Sequence, residues 1–179
     1  MATITGLTIE DFEKLPHELA HNHELIDGAL IDVSGNTPKH NILRDLLGDI
    51  LRSSARQKQL GQIIAEQEYD FNGDAHGPDV SFISHSKLHL LDMNRRVQPF
   101  VPDLAIEVVS KNDTFYDVLK KAKKYRACGT KEVWVLSLET REAIRYSGEQ
   151  SVLLDENAEL SSEQIPGFSI RLGDLFDRI

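Results

Sequence analysis

Hydrophobic and polar positions alternate along this chain with two periods, and each change of period marks an element. Thr8–Leu15 predicts a short helix: Thr8 can cap it, Asp11 completes a capping box, and Pro16 stops it. Glu24–Val33 carries two apolar runs around Asp27-Gly28, the strongest short-range signal for a hairpin. Thr37-Pro38 then opens a long helix, with Pro38 at the first helical position, where its missing N–H costs nothing. Ile42, Leu43, Leu46, Leu47, Ile50 and Leu51 recur at helical spacing, so this helix buries one face before ending near Gly61.

Ile63–Phe71 predicts one strand, ended by a turn at Asn72-Gly73-Asp74, and Asp79–Ile83 predicts a second, shorter one. Residues 84–101 read as a loop with one helical turn at Ser86–Leu91. Asp103–Val109 is almost continuously apolar, the pattern of a central strand covered on both faces. A helix over Thr114–Ala127 follows, capped by Asn112 or Asp113. Its inner stripe is Phe115, Val118, Leu119, Ala122 and Tyr125, and Gly129 stops it. Glu132–Leu138 is another buried strand. Strand, helix and strand at this spacing form a βαβ crossover, so the two strands run parallel. Ala143–Tyr146 and Ser151–Leu154 continue as antiparallel strands, and Ile165–Ile170 with Leu172–Phe176 closes the fold. No repeat or linker interrupts the pattern. The expectation is one α/β domain over residues 1–179, with an N-terminal β-hairpin and a central mixed sheet flanked by helices.

The 179 residues are 40% apolar and 27% charged, ordinary for a soluble globular protein. Cys128 is the only cysteine, which excludes a disulfide scaffold and fits a reducing compartment. No apolar run approaches the ~20 residues of a membrane span. The first residues lack the basic start and apolar core of a signal peptide. A cytoplasmic protein without membrane contact is expected. The net charge of −9 argues against non-specific coating of nucleic acid, but the charge is unevenly spread. Residues 111–131 carry seven Lys or Arg against Asp113 and Asp117, leaving +5 there and −14 in the rest. Such a run is either a solvated helix face or a phosphate-binding one.

Glu107 stands out inside an apolar strand, where an unpaired carboxylate is costly. Asp79 begins another strand, and two carboxylates at neighbouring strand ends can converge on a hard cation such as Mg²⁺ or Mn²⁺. The alternative is structural: Glu107 pairs with a helix lysine and Asp79 caps a turn. Lys121 and Lys124 lie one turn apart on the helix that the crossover returns over the sheet. A divalent ion, two carboxylates and a lysine form a coherent set for phosphodiester cleavage.

Pro78-Asp79-Val80, followed by Asp103-Leu-Ala-Ile-Glu107-Val-Val-Ser110, resembles the PD-(D/E)XK nuclease superfamily. Across nearly the whole chain the sequence is similar to the bacterial Uma-two family of restriction-endonuclease-like proteins. Glu24-Leu-Ile-Asp-Gly28 matches its opening hairpin and His40 its usual histidine. Asp117-Val-Leu-Lys-Lys121-Ala-Lys-Lys-Tyr125 matches its helix motif, Lys131–Val135 the next strand, and Ile165–Phe168 the closing segment.

The resemblance implies a core of helix, three strands, helix and strand, with Asp79 and Glu107 as ligands of Mg²⁺ or Mn²⁺. The superfamily's lysine, two residues after the glutamate, is Val109 here. The family supplies it from the next helix, which points to Lys121, with Lys120 and Lys124 as competitors. His40 and Glu24 complete the expected catalytic set. His40 would orient a water or touch phosphate, or is merely a helix N-terminal residue. Glu24 would face the site, or only pair across its hairpin. The implied activity is hydrolysis of DNA by a homodimer; the alternative is an inactive module of the same fold that binds nucleic acid or a protein. His21, His23, His76, His85 and His89 match no tetrahedral zinc pattern and are expected as loop histidines. Cys128 is expected to be structural, Trp134 to lie in the core, and no phosphate-binding glycine loop occurs.

Overall fold

The computed structural model describes residues 5–110 and 113–179, with Phe115 described through its backbone alone. The Thr8 capping box opens α1 (Ile9–Glu13), with Thr8 and Asp11 exchanging hydrogen bonds as their spacing requires. A one-turn helix that the sequence pattern did not disclose, α2 (His17–Ala20), follows Pro16. The hairpin comes next as β1 (His23–Ile26) and β2 (Ala29–Asp32). Asp27 and Gly28 both take positive φ, 50° and 75°, the geometry that a tight two-residue turn demands and that glycine adopts without strain.

The long helix is α3 (Pro38–Gln57), capped by Thr37 with Pro38 in its first turn. Leu43, Leu47 and Leu51 are fully buried, but Ile42 is 49% exposed and lies outside the buried stripe. The single strand expected over Ile63–Phe71 is two strands. β3 (Gly61–Ala65) ends where Glu66 takes a φ of 52°, and β4 (Glu68–Phe71) leaves for a different sheet. A tight turn at Asn72-Gly73 joins β4 to β5 (Asp74–His76), so a segment expected to be loop is buried strand.

β6 (Val80–Ser84) leads into a 3-10 turn over His85–Leu90 and the short β7 (Val97–Gln98). The apolar central strand is β8 (Leu104–Val108), and α4 (Phe115–Ala127) crosses back to β9 (Glu132–Ser137), parallel to β8. Thr114 caps α4; Asn112 lies outside the described residues, as does the side chain of Phe115. β10 (Glu142–Ser147) and β11 (Gln150–Leu154) extend the sheet antiparallel, and the hairpin β12 (Glu159–Ser161) with β13 (Ser169–Arg171) runs into α5 (Leu172–Phe176).

The larger sheet has the order β11-β10-β9-β8-β6-β3, and a second sheet has the order β2-β1-β5-β4-β7. Mixed sheets flanked by helices, with the N-terminal hairpin, are the predicted α/β architecture. Helix α3, strands β3, β6 and β8, helix α4 and strand β9 follow the core order implied by the family resemblance.

Strand periodicity sends alternate residues of β8 to opposite faces. Leu104, Ile106 and Val108 pack with α3, Val80, Phe82 and Trp134. Ala105 faces Ala122 and Tyr125 of α4. Glu107 shares the parity of Ala105, so its carboxylate is delivered towards α4. Trp134 is fully buried, as its apolar strand requires, and its indole N–H donates to Glu132.

Candidate active site

Val80 pairs with Ile106 across antiparallel β6 and β8, so Asp79, one residue earlier, comes beside Glu107. The backbone N–H of Val108 donates to Asp79 Oδ2 at 2.7 Å, which fixes that carboxylate at the end of the strand pair. His40, in the first turn of α3, places Nε2 3.3 Å from the same oxygen. Burial alone would lower the His40 pKa, but the hydrogen bond and charge of Asp79 outweigh it and hold the imidazole above its ordinary value. Asp79 Oδ1 accepts no hydrogen bond among the described residues.

Glu107 is 9% exposed. Tyr125 donates its hydroxyl to Glu107 Oε1 at 2.6 Å, and Lys121 Nζ lies 3.7 Å from Oε2. Burial pushes the Glu107 carboxyl up to about 8; Lys121 pulls it down, and the charges of Asp79 and Glu24 push it up again.

Lys121 also donates to Glu24 Oε1 at 3.0 Å. That carboxylate, brought in by β1, accepts the Gly77 N–H at 3.2 Å, and its Oε2 lies 3.0 Å from Nδ1 of His76. Burial raises the Glu24 carboxyl, but Lys121 and His76 overcome this and hold it down to about 2. The Lys121 ammonium is disfavoured by burial, yet Glu107 and Glu24 keep it above its ordinary range. The outcome is a closed circuit: Tyr125 holds Glu107, Lys121 bridges Glu107 to Glu24, Glu24 holds His76, and the His76 ring packs edge-on against Tyr125 with centroids 5.6 Å apart.

All five side chains expected at the site therefore line one cleft of about 1060 Å³. Of the three competing lysines, Lys121 alone reaches Glu107; Lys120 lies 3.6 Å from Asp27 and Lys124 2.6 Å from Asp74. Helical geometry accounts for the separation, since Lys121 shares the side of Ala122 and Tyr125 while Lys120 is rotated away. Sequence reasoning missed three members. His76 is a buried strand residue rather than a loop histidine, Tyr125 is polar at its tip as well as core, and Asp74 anchors both Lys124 and the Asp27 N–H.

Among the described residues, no three His, Cys, Asp or Glu side chains form a ready-made metal cage. Two adjacent carboxylates, one with a free oxygen and one held up by burial and, to a lesser degree, by the negative charge of Asp79 and Glu24, fit a cation of the Mg²⁺ kind. Such an ion takes one or two carboxylates and completes its octahedron with water and substrate phosphate. Soft metals have no thiolate here, since Cys128 lies at the far end of α4.

Residues 9–173 match a family model described as "Putative restriction endonuclease", the Uma-two family. The chain belongs to this family. A crystal structure of "a putative nuclease belonging to DUF820" from Anabaena variabilis ATCC 29413 superposes with a TM-score of 0.85 at 21% identity, covering 96% of this chain and 98% of that one. At that identity the superposition speaks for the fold. No curated protein matches the sequence. The Uma-two family assignment supports a nuclease-like function. Among the described residues, no helix is long and apolar enough to cross a membrane.

Proposed function

We propose that this protein is a divalent-metal-dependent endonuclease that hydrolyses DNA phosphodiester bonds in the Asp79–Glu107–Lys121 cleft. The observation that carries the reading is the placement of one lysine against a buried strand carboxylate, with a second carboxylate fixed beside it. Asp79 and Glu107 would hold Mg²⁺ or Mn²⁺. When bound, the ion supplies Lewis acidity and neutralises charge at the scissile phosphate.

The chain's own groups do the rest. The Val108 N–H and His40 fix Asp79 Oδ2, so Oδ1 is presented to the cleft. Tyr125 fixes Glu107 Oε1 and leaves Oε2 facing Lys121. Glu24 and His76 hold Lys121 Nζ at the same carboxylate, where its ammonium can stabilise charge developing on the phosphoryl oxygens. Glu24 is thereby a positioning residue, and so is His40. The family suggests a homodimer, in which two clefts would act on one DNA.

Incubation with unpaired and duplex oligonucleotides in Mg²⁺ tests the reading. Wild type should cut at least one of them, and Asp79→Asn should lose about 1,000-fold or more in rate. Equal rates for the two proteins would remove Asp79 from the chemistry. A protein that binds Mn²⁺ at this site but cuts nothing would instead be a binding module on the nuclease fold.

A further inference from the structure

From the charges and apolar residues around this cleft we infer that its substrate is an unpaired DNA strand, gripped through its bases and only one or two phosphates; the inference rests on the nuclease reading above. Among the described residues, eleven Asp or Glu and five Lys or Arg line the cleft. Four of the five cations are already paired within the chain: Arg96 with Glu68, Lys120 with Asp27, Lys121 with Glu24 and Glu107, and Lys124 with Asp74. Lys123 is exposed and, among the described residues, is the one lining cation without a carboxylate partner. Three of the seven cations of the basic segment that stands out in the sequence are thus paired by the hairpin and β5. A duplex brings two phosphate backbones, and among the described residues this cleft offers no second basic wall to receive the other one.

What the cleft offers instead is contact for bases. Ile31 is the direct cross-strand partner of Glu24, so the two side chains share a face of the hairpin. Glu24 faces the cleft through Lys121, so Ile31 faces it as well. Val33 lies two residues on with the same parity, and its N–H donates to Asn22 O, next to His21. Ile31 and Val33 are 43% and 38% exposed, unusual for β-branched apolar residues on a small hairpin. The exposed rings of His17 and His21 stack at 4.8 Å on the same rim. An apolar and aromatic rim above a single phosphate-handling centre is the arrangement that holds unstacked bases, and an unpaired strand presents them without the unpairing cost a duplex must meet.

The test measures binding of one fluorescent oligonucleotide, alone and annealed to its complement, by the full chain with Ca²⁺ in place of Mg²⁺. The unpaired strand should bind at least about tenfold more tightly than the duplex. Its log–log salt slope should be about −0.7 to −1.4, the value for one or two contacts at roughly −0.7 each. The Ile31→Ser/Val33→Ser double variant should lose about tenfold in affinity for the unpaired strand while Mn²⁺ affinity and melting temperature hold, since both positions are exposed. Duplex binding that equals or exceeds single-strand binding, or an unchanged affinity in the double variant, would overturn the inference and leave the nuclease reading standing. Failure of either DNA form to bind, together with absent Mn²⁺ binding, would overturn both.

Discussion

Glu107→Gln should make the metal-free protein more stable at pH 8 while removing its affinity for divalent metal. The wild-type carboxyl titrates near 8 in the fold and near 4.5 in the unfolded chain. Between these values the fold keeps the proton and the unfolded chain releases it, so stability is lost as pH rises from 4.5 through 8. Glutamine carries no charge to desolvate, and its carbonyl oxygen can still accept the Tyr125 hydroxyl. In EDTA at pH 8 the variant should gain about 2 kcal/mol, or roughly 4–8 °C in melting temperature for a chain of this size. The gap should close as pH falls towards 4.5. The same substitution should weaken Mn²⁺ binding by at least about 100-fold, because an amide replaces an anionic ligand. A variant that is no more stable at pH 8 than at pH 5, relative to wild type, would show that Glu107 is ordinarily ionised in the fold.

Lys121→Met should have the opposite effect on the fold and should also slow cleavage. The ammonium sits between Glu24 and Glu107, and both carboxylates are buried. Removing one partner of a buried ion pair costs about 3–5 kcal/mol. Lys121 keeps part of its side chain in solvent, so about 2–3 kcal/mol is expected, read as a fall of several degrees in melting temperature. DNA cleavage should fall about 100- to 1,000-fold, as for loss of one group that stabilises developing charge. Glu24→Gln added to Lys121→Met should restore part of the stability but none of the rate, because it removes a stranded anion without replacing the cation. A single variant that melts like wild type would place Lys121 in solvent rather than in the circuit.

Much of this site was legible because each signal was local. Asp27-Gly28 between apolar runs defines its turn by backbone geometry alone. The crossover from β8 through α4 to β9 follows from spacing, and with it the return of Lys121 to the sheet. Glu107 is conspicuous because its neighbours along the strand are apolar. What escaped the sequence depends on partners far along the chain. His76 meets Glu24 across 52 residues, and nothing beside His76 distinguishes a buried strand histidine from one in a loop. The basic helix looked available to DNA, yet Asp27 and Asp74, from the hairpin tip and the start of β5, hold two of its lysines. The break between β3 and β4 rests on Glu66 adopting a left-handed backbone, which that residue type does not advertise. Tyr125 was assignable to the core by its spacing, but the hydroxyl that orients Glu107 becomes meaningful only once α4 is laid over β8.

The most direct measurement is the anomalous difference density of a crystal soaked in Mn²⁺. A single peak within about 2.3 Å of a carboxylate oxygen of both Asp79 and Glu107, with Lys121 still against Glu24, is the result the account predicts. A peak bound by Glu24 and His76 with none at Asp79 and Glu107, or no peak at a saturating concentration, would contradict it.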